Sequence, residues 1–180
     1  CPGPRLAVRS AWSHPRLTPP HLQPTRQTAM QPDSPVHQWV TELGRHYDIA
    51  ELRLNEQGIL ALAIGEGLSV HMQAIAASEN LVFYASVVEL DEPLRPELLV
   101  GMLQANRFWH ETGGATLSLD DRQPPRVILA HLVLFQQLDT QRLIHHFENF
   151  SGSLQAMHEW LAPEVRPSEP QESSGFMQRA

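Results

Sequence analysis

Ten histidines, twenty acidic residues and one cysteine are the side chains of this sequence able to do acid-base, metal or nucleophilic chemistry. The densest group is His145, His146 and Glu148, with His158 and Glu159 a few turns on. A helical zinc site needs ligands on one face, as in an HExxH pair four residues apart. Adjacent helical residues point about 100° apart, and no two histidines here stand four apart. Solvated histidines are therefore expected, with no metal and no other cofactor. The acid pairs Asp91/Glu92 and Asp120/Asp121 fall in turn segments, where acids are commonplace. His110 with Glu111 or Asp120 would suit a hydrolase, but neither an orienting partner nor a nucleophile motif such as GxSxG accompanies it. Cys1 sits in a proline-rich arm. No catalytic residue is expected.

The stretch "FWHETGGATLSLD", Phe108 to Asp120, raises one further possibility, a glycine loop cradling phosphate. Such loops run strand, glycine turn, helix, so that the free amides of a helix start face the anion. Here the glycines follow a helical pattern and precede an alternating one. The adjacent helix end would be its carbonyl-bearing end, which repels phosphate. Gly113 or Gly114, in a left-handed conformation, is read as a helix C-cap.

The elements that would position these residues are legible from Met30 onward. Ser34 and Pro35 can start a helix carrying Val36, Trp39, Val40, Leu43 and Tyr47. Leu52 and Leu54 alternate with polar neighbours and read as a strand. "ILALAI", "LSVHMQAIA" and "LVFYASVVEL" follow with short links, which require antiparallel pairing. "ELLVGMLQANRFWHE" reads as a second helix, on which Leu98, Leu99, Met102, Leu103, Ala105 and Trp109, with Phe108 at the edge, cover about 200°. One sheet face cannot bury that arc, so a second surface is required. "ATLSLD" and "RVILAHLVL" are two more strands. Asp139 can cap a long third helix with a seam of Leu143, Phe147, Phe150, Leu154, Met157 and Leu161. The expected fold class is α+β: an antiparallel twisted sheet of about five to six strands with three helices, in the order α-β-β-β-β-α-β-β-α.

With 180 residues, 42% of them hydrophobic, the chain is long enough to bury one core. Residues 1–29 hold six prolines, four arginines and no acid, and are expected to be a disordered arm that need not belong to the native protein. Residues 30–162 form the expected domain, and the proline- and serine-rich 163–180 an expected mobile tail. All thirteen basic residues are Arg, and the net charge of −7 disfavours nucleic acid and anionic membrane as partners. Every apolar run is interrupted by charges or glycines before it could span a bilayer. Missing catalytic equipment and abundant apolar surface point to protein binding. A small-ligand-binding α+β domain is the alternative, and it predicts a closed apolar cavity.

"LLVGMLQANRFWHETGGATLSLDD", the strand "RVILAHLVLFQQLD" and a last helix ending "MHEWLA" resemble the class I type III secretion chaperones, the Tir chaperone family of Gram-negative bacteria. "LRLNEQGILALAI" is similar to that family's early hairpin, so the resemblance spans roughly residues 34 to 162. It implies a cytoplasmic homodimer, without enzymatic activity, that binds an extended N-terminal segment of a secreted virulence effector and keeps it export-competent. It also makes the secretion ATPase a further candidate partner. The second helix would lie at the dimer interface, for which Leu99, Met102, Leu103, Asn106 and Trp109 are the candidates. Val36, Val40, Leu52, Leu54, Val70 and Met72 are the candidates for effector-binding patches.

Overall fold

The alternating stretches become three successive antiparallel strands, β1 (Ile59–Ile64), β2 (Leu68–Ile75) and β3 (Asn80–Glu89). The computed structural model describes residues 34–65, 67–90 and 94–165. The arm 1–29, most of the tail from 163, Cys1 and the pair Asp91/Glu92 lie outside them. β4 (Thr116–Leu119) and β5 (Arg126–Leu134) form a second hairpin, and β5 inserts beside β3. The five strands run in the order β1-β2-β3-β5-β4, each antiparallel to its neighbours, within the expected α+β class.

Among the described residues three α-helices accompany the sheet: α1 (Pro35–His46), α2 (Pro96–Ala105) and α3 (Thr140–Val165). Pro35 opens α1 with its φ already helical, but Ser34 contributes only its backbone. Its carbonyl accepts the His37 N–H at 3.1 Å, and its hydroxyl makes no capping bond. Asp139 does cap α3 through its side chain, which accepts the Arg142 N–H at 2.8 Å. The α3 seam is buried throughout, from Leu143 to Leu161. It packs on Leu81, Phe83, Ala85 and Val87 of β3, with the Phe83 and Phe150 rings 5.8 Å apart. Burying each large side chain of this seam stabilises the fold by about 1.5–3 kcal/mol. A bulge at Val87 interrupts the β3–β5 register, and His158 of α3 hydrogen-bonds the Val87 carbonyl at 2.8 Å. The bulge thereby gains a partner for a carbonyl outside the regular ladder.

The expected strand at Leu52 and Leu54 does not form, so the first meander has three strands rather than four. Asp48 and Glu51 both take left-handed backbone, at φ 55° and 58°, which turns the chain back over the end of α1. The Ile49 N–H donates to the Gly44 carbonyl at 2.8 Å, and a Cβ on Gly44 would stand 2.7 Å from Leu52 Cβ. Only glycine permits that approach. Asn55 then closes the loop into β1, its side chain accepting the N–H groups of Gln57 and Ile59 at 3.0 and 2.9 Å.

Candidate functional site

The second helix ends early. Glu97 in its first turn suits the positive helix start, and Pro96 sits at the first helical position. The sequence pattern carried this helix to Glu111, but α2 stops at Ala105, because Asn106 is captured by the sheet. The Asn106 side-chain oxygen accepts the Leu117 N–H at 2.7 Å, and its amide donates to the Leu117 carbonyl at 3.0 Å. Those are the groups that an edge strand would otherwise offer to another strand. Asn106 thus closes the β4 edge at its middle, a role distinct from the expected interface contact.

A tight turn follows, Arg107–Trp109, in which Phe108 and Trp109 adopt φ of 58° and 54°. Left-handed backbone costs a non-glycine residue about 1–2 kcal/mol, so the surroundings must hold it. The Trp109 N–H donates to the Asn106 carbonyl at 3.2 Å, and the Gly114 N–H donates to the Trp109 carbonyl at 3.0 Å. The Trp109 indole donates to the Thr116 hydroxyl at 3.1 Å. Gly113 and Gly114, at φ 60° and 90°, belong to this turn and not to the end of α2. The outcome is display: Phe108 is 80% and Trp109 54% exposed.

Of the other expected interface residues, Leu103 is 71% exposed, Leu99 is half-buried, and Met102 points into the core. The sequence reading missed Val100, 52% exposed, because it falls outside the predicted apolar arc. It also missed Leu119 of β4 and Trp160 of α3, both partly exposed. Beside this face lies a groove of about 480 Å3 lined by Gly101, Gln104, Ala105, Arg107, Glu111, Met157 and Trp160. Trp160 lies against Gly101, where an added Cβ would stand 3.5 Å from its ring.

The expected effector patches are core instead. Val36, Val40, Val70 and Met72 are fully buried, Leu54 nearly so, and Leu52 is half-buried against Gly44. In β2 the even-numbered residues point to the helices, because side chains alternate between the faces of a sheet. The surface of β2 is therefore Ser69, His71, Gln73 and Ile75, continued by Val82 and Tyr84 of β3 and by Ile128 and Leu132 of β5. On this second face His71 stacks on Tyr84 at 5.0 Å, and Leu132 is 55% exposed.

Several of the acid and histidine candidates have structural partners. Asp120 accepts the N–H groups of Arg126 and Arg122 at 2.8 and 3.3 Å, which fixes the β4–β5 turn. His145 pairs with Asn149 at 3.0 Å. Among the described residues no group of three or more His, Cys, Asp or Glu is placed to hold a metal ion. Burial, then the nearby His131, His145 and Arg142, hold the His146 imidazole below the ordinary histidine range. Burial foremost, with the Glu148 carboxylate beside it, raises the Tyr47 phenol. Among the described residues no helix is long and apolar enough to cross a membrane.

Several solved structures share this architecture. A chain of the ExsC-ExsE complex superposes with a TM-score of 0.60 at 23% identity, covering 78% of this chain and all of that one. A chain of the HopA1-SchA chaperone-effector complex gives 0.57 at 14% identity, over 69% of this chain and 94% of its own. A chain of the heterodimeric ExoU-SpcU complex from the type III secretion system of Pseudomonas aeruginosa gives 0.54 at 20% identity, over 74% and 99%. No curated protein matches the chain. The model of the Tir chaperone protein (CesT) family matches residues 38–158, from the first helix to near the end of the third, so the chain belongs to that family.

Proposed function

We propose that this protein is a cytoplasmic type III secretion chaperone that acts as a homodimer. It binds the N-terminal segment of a secreted effector and keeps it soluble and export-competent. Family membership supports the chaperone reading, and the HopA1-SchA chaperone-effector complex supplies a precedent for this fold in such an assembly. The observation that carries the dimer is the aromatic turn with the outer face of α2. Hydrogen bonds within the turn fix the backbone that displays Phe108 and Trp109, Val100 and Leu103 lie exposed on α2, and a folded protomer alone leaves all four unburied.

In this reading the work is differential binding to an extended chain, with no catalysis, nucleotide or metal. The effector's apolar anchors would dock on the second sheet face around Tyr84, Ile128 and Leu132, rather than on the buried Val36, Val40, Val70 and Met72. Asn106 blocks strand addition at β4, so an added effector strand belongs at the β1 edge. A delivery contact with the secretion ATPase would follow effector loading. Co-expression with proteins encoded beside this one, followed by affinity purification, tests the reading. A neighbour retained through its N-terminal segment supports it, and neighbours with secretion-type N-termini that never co-purify refute it.

A further inference from the structure

Behind the aromatic turn lies a cluster that chaperone binding does not use. His131 of β5 faces His146 of α3 with ring centroids 5.4 Å apart, and His145 lies 6.3 Å from His146. With Gly113, Asn149 and Phe150 these imidazoles line a pocket of about 140 Å3. The Phe83 ring of β3 packs near both imidazoles, 6.4 Å from His131 and 6.5 Å from His146.

The cluster is tied to the turn. His131 Nδ1 lies 2.8 Å from the Gly114 carbonyl oxygen. A carbonyl only accepts, so Nδ1 carries a proton and any second proton must go to Nε2. Gly114 in turn holds the Trp109 carbonyl, and the Trp109 indole holds Thr116. A Cβ on Gly113 would collide with the Ser153 hydroxyl of α3, and one on Gly114 would rest 3.6 Å from the His131 ring. The glycine pair is therefore wedged between α3, His131 and the residues that display Phe108 and Trp109.

The ionisable groups acting on His146 are His131 from β5, and His145 and Arg142 from α3. β3 presents Phe83, and the loop before β4 presents Gly113. These ionisable neighbours are two imidazoles and a guanidinium, and Arg142 leans on Asp139 at 3.5 Å. We propose that His131 and His146 form an acid-sensitive latch, which at neutral pH seats the Gly113–Gly114 loop and through it the Phe108–Trp109 turn. Acidification places like charges 5.4 Å apart over a phenyl ring. Their separation shifts α3 from the loop, and the aromatic turn loses its backing. The consequence for self-association rests on the outer α2 face being the interface, whereas the latch itself does not.

The sign of the pH effect follows from His146, whose folded value is lowered. Its contribution to stability is intact above the ordinary histidine range of about 6.5. It is lost as pH falls through that range toward the lowered folded value. Over that window the unfolding constant rises by up to about tenfold per pH unit for each proton taken up on unfolding.

The test is proton NMR on the full chain, following the His131 and His146 ring signals and the Trp109 indole N–H from neutral to mildly acidic pH. The latch predicts that the Trp109 signal moves with the His146 midpoint. It also predicts that urea unfolding at neutral and acidic pH differs more in the wild type than in His146→Gln. A Trp109 signal that stays flat through the His146 midpoint overturns the proposal, and this reading needs no variant to fold. Equal acid sensitivity in His146→Gln overturns it as well. A chain that is monomeric at every pH, yet shows the coupled Trp109 response, upholds the latch and refutes the interface. A pH-independent dimer with a flat Trp109 signal does the reverse.

Discussion

Replacing Leu103 separates folding from association, because it is the most exposed aliphatic residue on α2. It is 71% exposed in the protomer. Fully burying a leucine side chain is worth about 1.5–3 kcal/mol, so covering the exposed fraction stabilises an interface by roughly 1–2 kcal/mol per protomer. A two-fold dimer uses the same patch twice, which doubles this to roughly 2–4 kcal/mol, or about 30- to 1,000-fold in dissociation constant. Leu103→Ala should weaken the dimer within that range. Leu103→Glu should abolish it, because an interface would have to bury a carboxylate without a partner. The protomer itself should hardly change, since exposed substitutions usually stay within about 0.5 kcal/mol. Sedimentation equilibrium across a concentration series gives the dissociation constant, and urea denaturation gives the protomer stability. A Leu103→Glu protein that dimerises as tightly as wild type refutes the reasoning, as does one that simply unfolds.

Three further outcomes follow from the same contacts. Asn106→Ala removes both bonds to Leu117, which should cost about 1–3 kcal/mol in urea denaturation and, by opening the β4 edge, raise aggregation measured by light scattering. Gly113→Ala combines φ 60° with a Cβ that meets the Ser153 hydroxyl, so it should lose at least about 1–2 kcal/mol. Ser153→Gly in that background should recover only the steric part. A chain beginning at Met30 should melt cooperatively at the wild-type midpoint, since every residue of the described core lies between Val36 and Leu161; a broadened or lowered transition by calorimetry contradicts this.

Local pattern revealed the five strands that formed, the α3 seam and its Asp139 cap, since each depends on neighbours in sequence. The apolar character of α2 was also visible, and Leu103 is exposed on it, whereas Phe108 and Trp109, expected on the same helix, are displayed by the turn that follows it. What failed depends on distant partners. Leu52 and Leu54 alternate like a strand, yet Gly44 and two left-handed residues fold them onto α1. Nothing near Asn106 announces that its amide will be taken by Leu117, so the helix was carried too far. The effector patches were misplaced for a related reason. Apolar periodicity marks a stripe on α1 or β2 without saying what covers it, and Val36, Val40, Val70 and Met72 are completely buried in the common core. The His131–His146 pair joins residues from β5 and α3 and carries no signal in sequence.

The mass of a purified complex with the N-terminal segment of a co-encoded effector tests the central claim most directly. Light scattering coupled to size exclusion should give two chains of this protein and one effector segment, with the rest of the effector dispensable. A segment that elutes apart from the protein, or a binding site confined to the effector's folded catalytic part, contradicts the account.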